Sequence, residues 1–124
     1  VRPFRGIRYN PKKIKGTLAD VVAPPYDVIS PLEQDELYNR NPHNVIRLIL
    51  NREYDGDGPN DNRYTRAAKC LNDWLKEGTL QEDGLPCFYV YEQTFDIAAG
   101  GAARSRVLTR RGVLMSSEVL SALV

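Results

Sequence analysis

The chain of 124 residues is long enough for one domain with a modest core, and its 42% hydrophobic and 27% charged residues are typical of a globular protein. Its apolar runs are too short to span a bilayer, and no basic-then-apolar leader stands at its start, so we expect a cytoplasmic protein without a membrane partner. The formal net charge of +1 makes nucleic acid an unfavoured partner.

The first predicted element is a short extended segment over residues 3–9, followed by a basic turn that ends near Gly16. The segment VVAPPYDVIS comes next, at residues 21–30. Its two adjacent prolines lack N–H donors and keep the residue before each of them out of the helical conformation. We therefore expect a stiff, extended loop that holds Tyr26 and Asp27 in fixed directions.

The first predicted helix begins directly after this loop. Ser30 is its N-cap, Pro31 suits the first helical position, and Glu33 completes a capping box. The dipeptide Asn41-Pro42 ends it, because proline cannot continue a helix.

Residues 44–50, NVIRLIL, are β-branched and almost wholly apolar, which predicts a buried strand with Arg47 as the one charged exception. The polar loop that follows begins with Asp55-x-Asp57, like a calcium loop. However, Asn60 replaces the required glycine and Arg66 replaces the closing glutamate. We therefore expect a turn and a helix cap there rather than a calcium site.

The second predicted helix has apolar residues at helical spacing, namely Tyr64, Ala67, Ala68, Leu71, Trp74 and Leu75. Asn60 or Asp61 can cap its start, and Gly78 is suited to its C-terminal end. Because Tyr64 and Trp74 both lie on the apolar stripe, we expect both rings in the core.

The last part of the chain predicts a hairpin. Residues 87–95 have strong β propensity, and residues 106–115 should pair back on them across the small-residue loop AAGGAARS. The final SSEVLSALV has a helix-cap signal and ends on apolar residues. We therefore expect the chain to be truncated there, as part of a longer protein.

This order of elements predicts an α+β (mixed α/β) fold in a single domain, 1–124, with a small mixed sheet covered by two main helices. A free sheet edge would favour a homodimer. One histidine, His43, and two separated cysteines, Cys70 and Cys87, do not form a zinc motif, so no residue is assigned to a metal and free thiols are expected.

Two acids near the Pro-Pro loop are the candidate catalytic residues. Asp27 could act as a base, bind a cation or pair with an arginine of its own fold. Glu33 already has a capping role, so catalysis would be a second task for it.

The candidate ligand-binding residues lie on the Pro-Pro loop, on the predicted strand after the first helix and on the hairpin. Asn44 stands at the entrance of that strand, where binding residues often lie. Arg47 could meet either a carboxylate of the fold or a substrate anion. The full set is Pro24, Pro25, Tyr26, Asn44, Arg47 and Arg110.

Charge is unevenly distributed along the chain. Residues 1–16 carry only basic charges, residues 17–97 are mainly acidic, and residues 98–124 are again basic. The basic ends could pair with the acidic middle, which is the simpler interpretation, or converge on an anion such as a phosphate.

Three motifs in order, RPFRGIRYNPKKI, VVAPPYDVISPLEQDELYNRNPHNVIRLIL and FYVYEQTF…TRRGVL, closely resemble the start of a bacterial and archaeal family, domain of unknown function 1015. Members of this family are longer and carry a later Asp-Gly-His-His-Arg motif. That motif resembles the one in the ParB and sulfiredoxin superfamily, which includes nucleotide-hydrolysing partition proteins and free-serine kinases.

The resemblance implies a ParB/sulfiredoxin-like fold and the nucleotide-binding part of a small-molecule, serine-like kinase, with a nucleotide and Mg²⁺ as cofactors. The motif Asp-Gly-His-His-Arg does not occur in this sequence, so enzymatic activity of the chain stays open. The alternative is a non-catalytic binding or regulatory module for a protein or DNA.

Overall fold

The computed structural model describes residues 1–98 and 105–117, and its helices and short sheets confirm the α+β class. These residues fall into two compact units. The helical unit is Ile7–Glu82, and the hairpin unit combines Val1–Gly6 with the described part of Asp83–Val124. No helix in the described ranges has the length and apolar character needed to cross a membrane. The single domain and the longer parent protein stay predictions.

The described strands form two separate antiparallel sheets instead of the one mixed sheet that we expected. In the helical unit, β1 (Ile7–Tyr9) pairs with β2 (Leu80–Glu82), a three-residue strand that sequence analysis missed. In the hairpin unit, β3 (Tyr89–Ala98) pairs with β4 (Ser105–Leu114), which confirms the predicted hairpin. The predicted strand at residues 44–50 belongs to neither sheet, because that segment contains a helix.

The first helix, α1 (Pro31–Arg40), begins and ends as predicted. The Ser30 hydroxyl accepts the Glu33 N–H at 3.2 Å, and the Glu33 carboxylate accepts the Ser30 N–H at 2.8 Å. These bonds form the expected capping box. Because the Ser30 N–H stabilises the ionised carboxylate, the pKa of Glu33 lies below its ordinary value.

The prediction of a strand at residues 44–50 is wrong. This segment contains a short helix, α2 (Ile46–Ile49), and the side-chain oxygen of Asn44 accepts the Ile46 N–H at 2.9 Å at its start. Ile46 is fully buried. A continuous apolar run has no periodicity that separates a buried strand from a buried helical turn, and here the side-chain bond of Asn44 favours the turn.

The longest described helix is α3 (Arg63–Glu77). Its N-cap is Asn62, one or two positions beyond the predicted caps, and the Asn62 side-chain oxygen accepts two backbone N–H groups of the first turn. The helix ends at Gly78, whose φ of 82° is in the left-handed region that favours glycine, as expected.

The core of the helical unit is formed by buried apolar side chains from α1, α2, α3, β2 and the loops before α1, namely Ile14, Val21, Leu37, Ile46, Trp74 and Leu80. The expectation that Trp74 lies in the core is confirmed, since it is only 6% exposed. The same expectation for Tyr64 is wrong, since it is 76% exposed. Tyr64 lies in the first turn of α3, where the apolar stripe of the helix reaches a surface cleft.

The hairpin unit is organised around Tyr89. Its hydroxyl accepts the Gly6 N–H at 2.6 Å and donates to the Asp83 carboxylate at 2.5 Å, and its ring packs on Phe4 with centroids 4.9 Å apart. Cys87 and Cys70 are free thiols, as expected. The predicted loop AAGGAARS between β3 and β4 lies outside the described residues except for its first and last residue. The final segment SSEVLSALV lies outside them except for its first two residues.

Candidate functional site

A cleft of about 360 Å³ opens on the surface of the helical unit. Its walls come from the Pro-Pro loop, the α2 segment and the first turns of α3, and its lining residues are Tyr26, Leu48, Ile49, Leu50, Asn51, Arg63, Tyr64 and Ala67. This volume is in the range of small-molecule binding sites. We take this cleft as the candidate functional site.

Two tyrosine rings are the most exposed groups of the cleft. Tyr26 is 64% exposed and Tyr64 is 76% exposed, and the side chain of Ile49 between their segments is also accessible. Large rings exposed beside an apolar floor offer stacking surfaces with a polar hydroxyl at one end. The cleft can therefore contact a planar or apolar group.

Arg63 supplies the positive charge of the cleft. Its Nε donates to the backbone oxygen of Asn51 at 3.0 Å, and its Nη1 lies 2.9 Å from a carboxylate oxygen of Glu53. Its Nη2 has no hydrogen-bond partner among the described residues. The guanidinium is thus held in place by a backbone bond while part of its donor edge is free for a ligand.

The Pro-Pro loop places Tyr26 in the cleft wall. Pro24 and Pro25 are joined by trans peptide bonds, and the Pro25 oxygen accepts the Val28 N–H at 3.2 Å to start a 3-10 turn over Tyr26–Val28. The prolines themselves are exposed and do not line the cleft. Their effect on the site is therefore indirect, because they restrict the backbone and so determine the direction of Tyr26.

Asp27 follows Tyr26 in the same turn and is exposed. Its carboxylate makes no hydrogen bond and no ion pair with any residue in the ranges 1–98 and 105–117, so pairing with a described arginine is not its role. The carboxylate of Glu33, by contrast, is bound to the start of α1. Of the two predicted acids, Asp27 is the one whose carboxylate has no partner among the described residues.

Asn44 is fully buried and has a structural role. Its side-chain nitrogen donates to the backbone oxygens of Asp20 at 2.9 Å and Val22 at 3.0 Å, while its side-chain oxygen accepts the Ile46 N–H. These bonds fix the chain directly before the Pro-Pro loop. Asn44 therefore stabilises the segments on either side of these bonds and does not line the cleft.

Arg47 caps the C-terminal end of α1. Its Nη1 donates to the Asn41 oxygen at 2.8 Å and its Nη2 donates to the Tyr38 oxygen at 3.0 Å. Its guanidinium also lies 4.4 Å from the centre of the Tyr38 ring. A positive charge at this position compensates the unpaired carbonyls and the negative end of the helix dipole. No carboxylate in the part of the chain that the structure describes forms an ion pair with Arg47.

Arg110 belongs to the hairpin unit. Its Nε donates to the side-chain oxygen of Gln93, its cross-strand partner, and it lines a depression of about 570 Å³ along β3. The helical unit thus brings one predicted ligand residue, Tyr26, together with Arg63 and Tyr64, which were not predicted as site residues. The signal that could have found them is their position in the first turn of α3, next to a strong N-cap.

A smaller depression of about 230 Å³ adjoins the cleft, and it shares Arg63 and Tyr64 with it. Asp57 on its wall accepts both terminal nitrogens of Arg66, at 2.9 and 2.8 Å. These bonds to a cation lower the pKa of Asp57. Arg66, at the position where a calcium loop would have its closing glutamate, thus ties the acidic loop to α3.

The Asp57→Asn variant should show a weaker dependence of stability on acid than the wild type. The folded-state pKa of Asp57 is lowered, so its contribution to stability is present above the ordinary carboxyl pKa and is lost as the pH falls through the folded-state value. Urea unfolding at pH 7 and pH 3 measures the difference. Asp55→Asn, at an exposed neighbour without a described partner, is the control, and equal acid sensitivity of both variants would contradict the assignment.

A family model described as "Protein of unknown function (DUF1015)" matches residues 1–119 of the chain. Searches of the curated proteins and of the solved structures found no match.

Proposed function

The chain belongs to the DUF1015 family of proteins of unknown function, and from this premise we propose that the cleft of its helical unit binds a nucleotide. The observation that carries the proposal is the meeting of two exposed tyrosine rings, Tyr26 and Tyr64, with Arg63 around an apolar floor. A nucleotide has a planar base for the rings and an anionic phosphate for the arginine.

Both contacts of the nucleotide, the stacking of its base on tyrosine and the hydrogen bond of its phosphate to Arg63, are energetically favourable. Stacking of a base on an aromatic side chain contributes about 1–3 kcal/mol per base. A hydrogen bond between a guanidinium and a phosphate oxygen is stronger than a neutral one, and Arg63 has Nη2 available for it. The backbone bond from Nε to Asn51 fixes this donor before the ligand arrives.

The wider role in this proposal is the nucleotide-binding part of a small-molecule kinase. It is supported by the resemblance of a later family motif, Asp-Gly-His-His-Arg, to the one in the ParB and sulfiredoxin superfamily, a motif that does not occur in this sequence. Asp27 is the candidate base for a small hydroxyl substrate, because it neighbours Tyr26 and keeps free acceptor atoms. Mg²⁺ would accompany the nucleotide in this proposal, bound mainly by its phosphates.

A second candidate function is a non-catalytic module that binds a protein, including a second copy of the chain. The exposed apolar side chains of β3 and β4 support it, among them Val90, Phe95 and Val107. The two functions predict different results with nucleotide: a kinase part binds ATP through the cleft, whereas a protein-binding module gives no heat of ATP binding and self-associates or captures a partner through the hairpin.

Replacing either cleft tyrosine, by Tyr26→Ala or Tyr64→Ala, should weaken ATP binding to the chain about tenfold, because each variant removes one stacking surface. Isothermal titration calorimetry measures the change. Val28→Ala is the matched control, since Val28 lies in the same turn as Tyr26, is 63% exposed and does not line the cleft. If the wild-type chain does not bind ATP, or if Val28→Ala weakens binding as much, the nucleotide site is wrong.

A further inference from the structure

Without a ligand, the carboxylate of Glu53 forms an ion pair with Arg63. The Nη1–Oε1 distance is 2.9 Å, and the two side chains share the depression that adjoins the cleft. Arg63 itself lines both the depression and the cleft. The donor edge that an anionic ligand would use is thus partly occupied by an acid of the same chain.

The contact to Glu53 is the weaker of the two that hold Arg63. The Glu53 side chain is 68% exposed, and this ion pair is its one polar side-chain contact within the described ranges. Exposed pairs of this kind contribute little to stability. The bond from Nε to the backbone oxygen of Asn51, a largely buried residue, keeps the guanidinium in place when Glu53 leaves.

The other carboxylate of the depression cannot exchange in the same way. Asp57 accepts two nitrogens of Arg66 and the Tyr54 N–H, so its release would break three bonds at once. Glu53 is released by the loss of one contact. The structure therefore distinguishes a fixed acid, Asp57, from an exchangeable acid, Glu53, on the same wall.

We propose that Glu53 is an internal competitor for the anionic group of the ligand: its carboxylate occupies Arg63 while the cleft is empty and is displaced when a phosphate or carboxylate group binds. This inference rests on the proposed function of the cleft. Once Glu53 leaves, Nη1 and Nη2 of Arg63 form a donor fork that fits two oxygens of one anionic group. A neutral ligand does not need Arg63 and leaves the ion pair in place, so Glu53 weakens the binding of anionic ligands alone.

The test compares Glu53→Gln with the wild-type chain in calorimetric titrations with ATP and with adenosine. The variant removes the competing charge, so ATP should bind about two- to fivefold more tightly. Adenosine, which has the same base and no phosphate, should bind equally to both proteins. Asp35→Asn is the matched control, because Asp35 pairs with Arg52 at 2.6 Å, is 60% exposed and lies outside the cleft.

The possible results separate this inference from the proposed function. Tighter binding of ATP by Glu53→Gln alone, with adenosine unchanged, supports the competition. Unchanged ATP affinity in Glu53→Gln, together with weaker binding in Tyr64→Ala, overturns the competition and leaves the nucleotide site intact. If Asp35→Asn increases the affinity for ATP as much as Glu53→Gln does, the effect comes from net charge, and this result also overturns the competition. Absence of ATP binding in both the wild type and Glu53→Gln overturns both proposals.

Discussion

The Asn44→Leu variant is expected to lose roughly 3–5 kcal/mol of the free energy of unfolding of the helical unit, because each buried polar group left without a partner costs about 1–3 kcal/mol. Leucine has the branched shape of asparagine but larger terminal groups, so no cavity opens and overpacking adds to the loss. The variant loses the bonds to the backbone oxygens of Asp20 and Val22, which are partly buried, and the bond to the Ile46 N–H, which is buried. Urea unfolding followed by circular dichroism at 222 nm measures the change.

The control for this prediction is Asn39→Leu, on the exposed face of α1, which should change stability by no more than about 0.5 kcal/mol. The comparison also tests the role of Asn44 that the sequence suggested. If Asn44 contacted a ligand instead, the Asn44→Leu variant would bind ATP more weakly and keep the stability of the wild type. An Asn44→Leu protein that is as stable as the wild type and deficient in binding would contradict the structural role.

The Trp74→Ala variant is expected to lose about 3–5 kcal/mol, the usual cost of truncating a buried aromatic side chain. Trp74 is the only tryptophan of the chain and contacts the rings of His43 and Tyr9, with centroids 5.3 and 6.3 Å away. Its removal leaves a cavity against β1 and the residues after α1 that the backbone cannot fill. Because the variant has no tryptophan fluorescence, unfolding is again followed by circular dichroism.

Tyr64→Ala on the same helix provides the comparison for Trp74→Ala. Its ring is largely exposed, so stability should change by no more than about 0.5 kcal/mol while nucleotide binding weakens. Similar losses of stability in the two variants would mean that Tyr64 is a core residue after all, as its position in the apolar stripe suggested, and would remove one wall of the proposed site.

The parts of the fold that could be predicted are those set by local chemistry. The capping box of Ser30 and Glu33 and the left-handed Gly78 depend on residues within one helical turn, so the sequence alone indicated where α1 begins and α3 ends. The α2 segment failed because its conformation depends on distant groups. The Val45 N–H bonds to the Val21 oxygen, and Asn44 bonds to the same segment, more than 20 residues away.

The candidate site could be predicted only in part, for a related reason. Tyr26 was found because two prolines make its surroundings rigid, a property that is visible in the sequence. Arg47 was selected because a charge is unusual in an apolar run. Its partners are the carbonyls at the end of α1, a contact that only the three-dimensional structure reveals. Arg63 and Tyr64 were missed because periodicity identifies the apolar side of a helix without showing how far along the helix the core extends.

The division of the chain into units has a consequence for the order in which it folds. The antiparallel partners Ile7 and Glu82 close the helical unit on itself, and the hairpin unit uses residues from both sides of it, with Phe4 paired to Cys87 and Arg2 to Ser116. On the ribosome, the helical unit is complete before either of these later partners is synthesised. Once the helical unit has folded, the residues that flank it are close together. Formation of the hairpin unit then no longer requires the closure of a loop of about 80 residues, with its entropic cost.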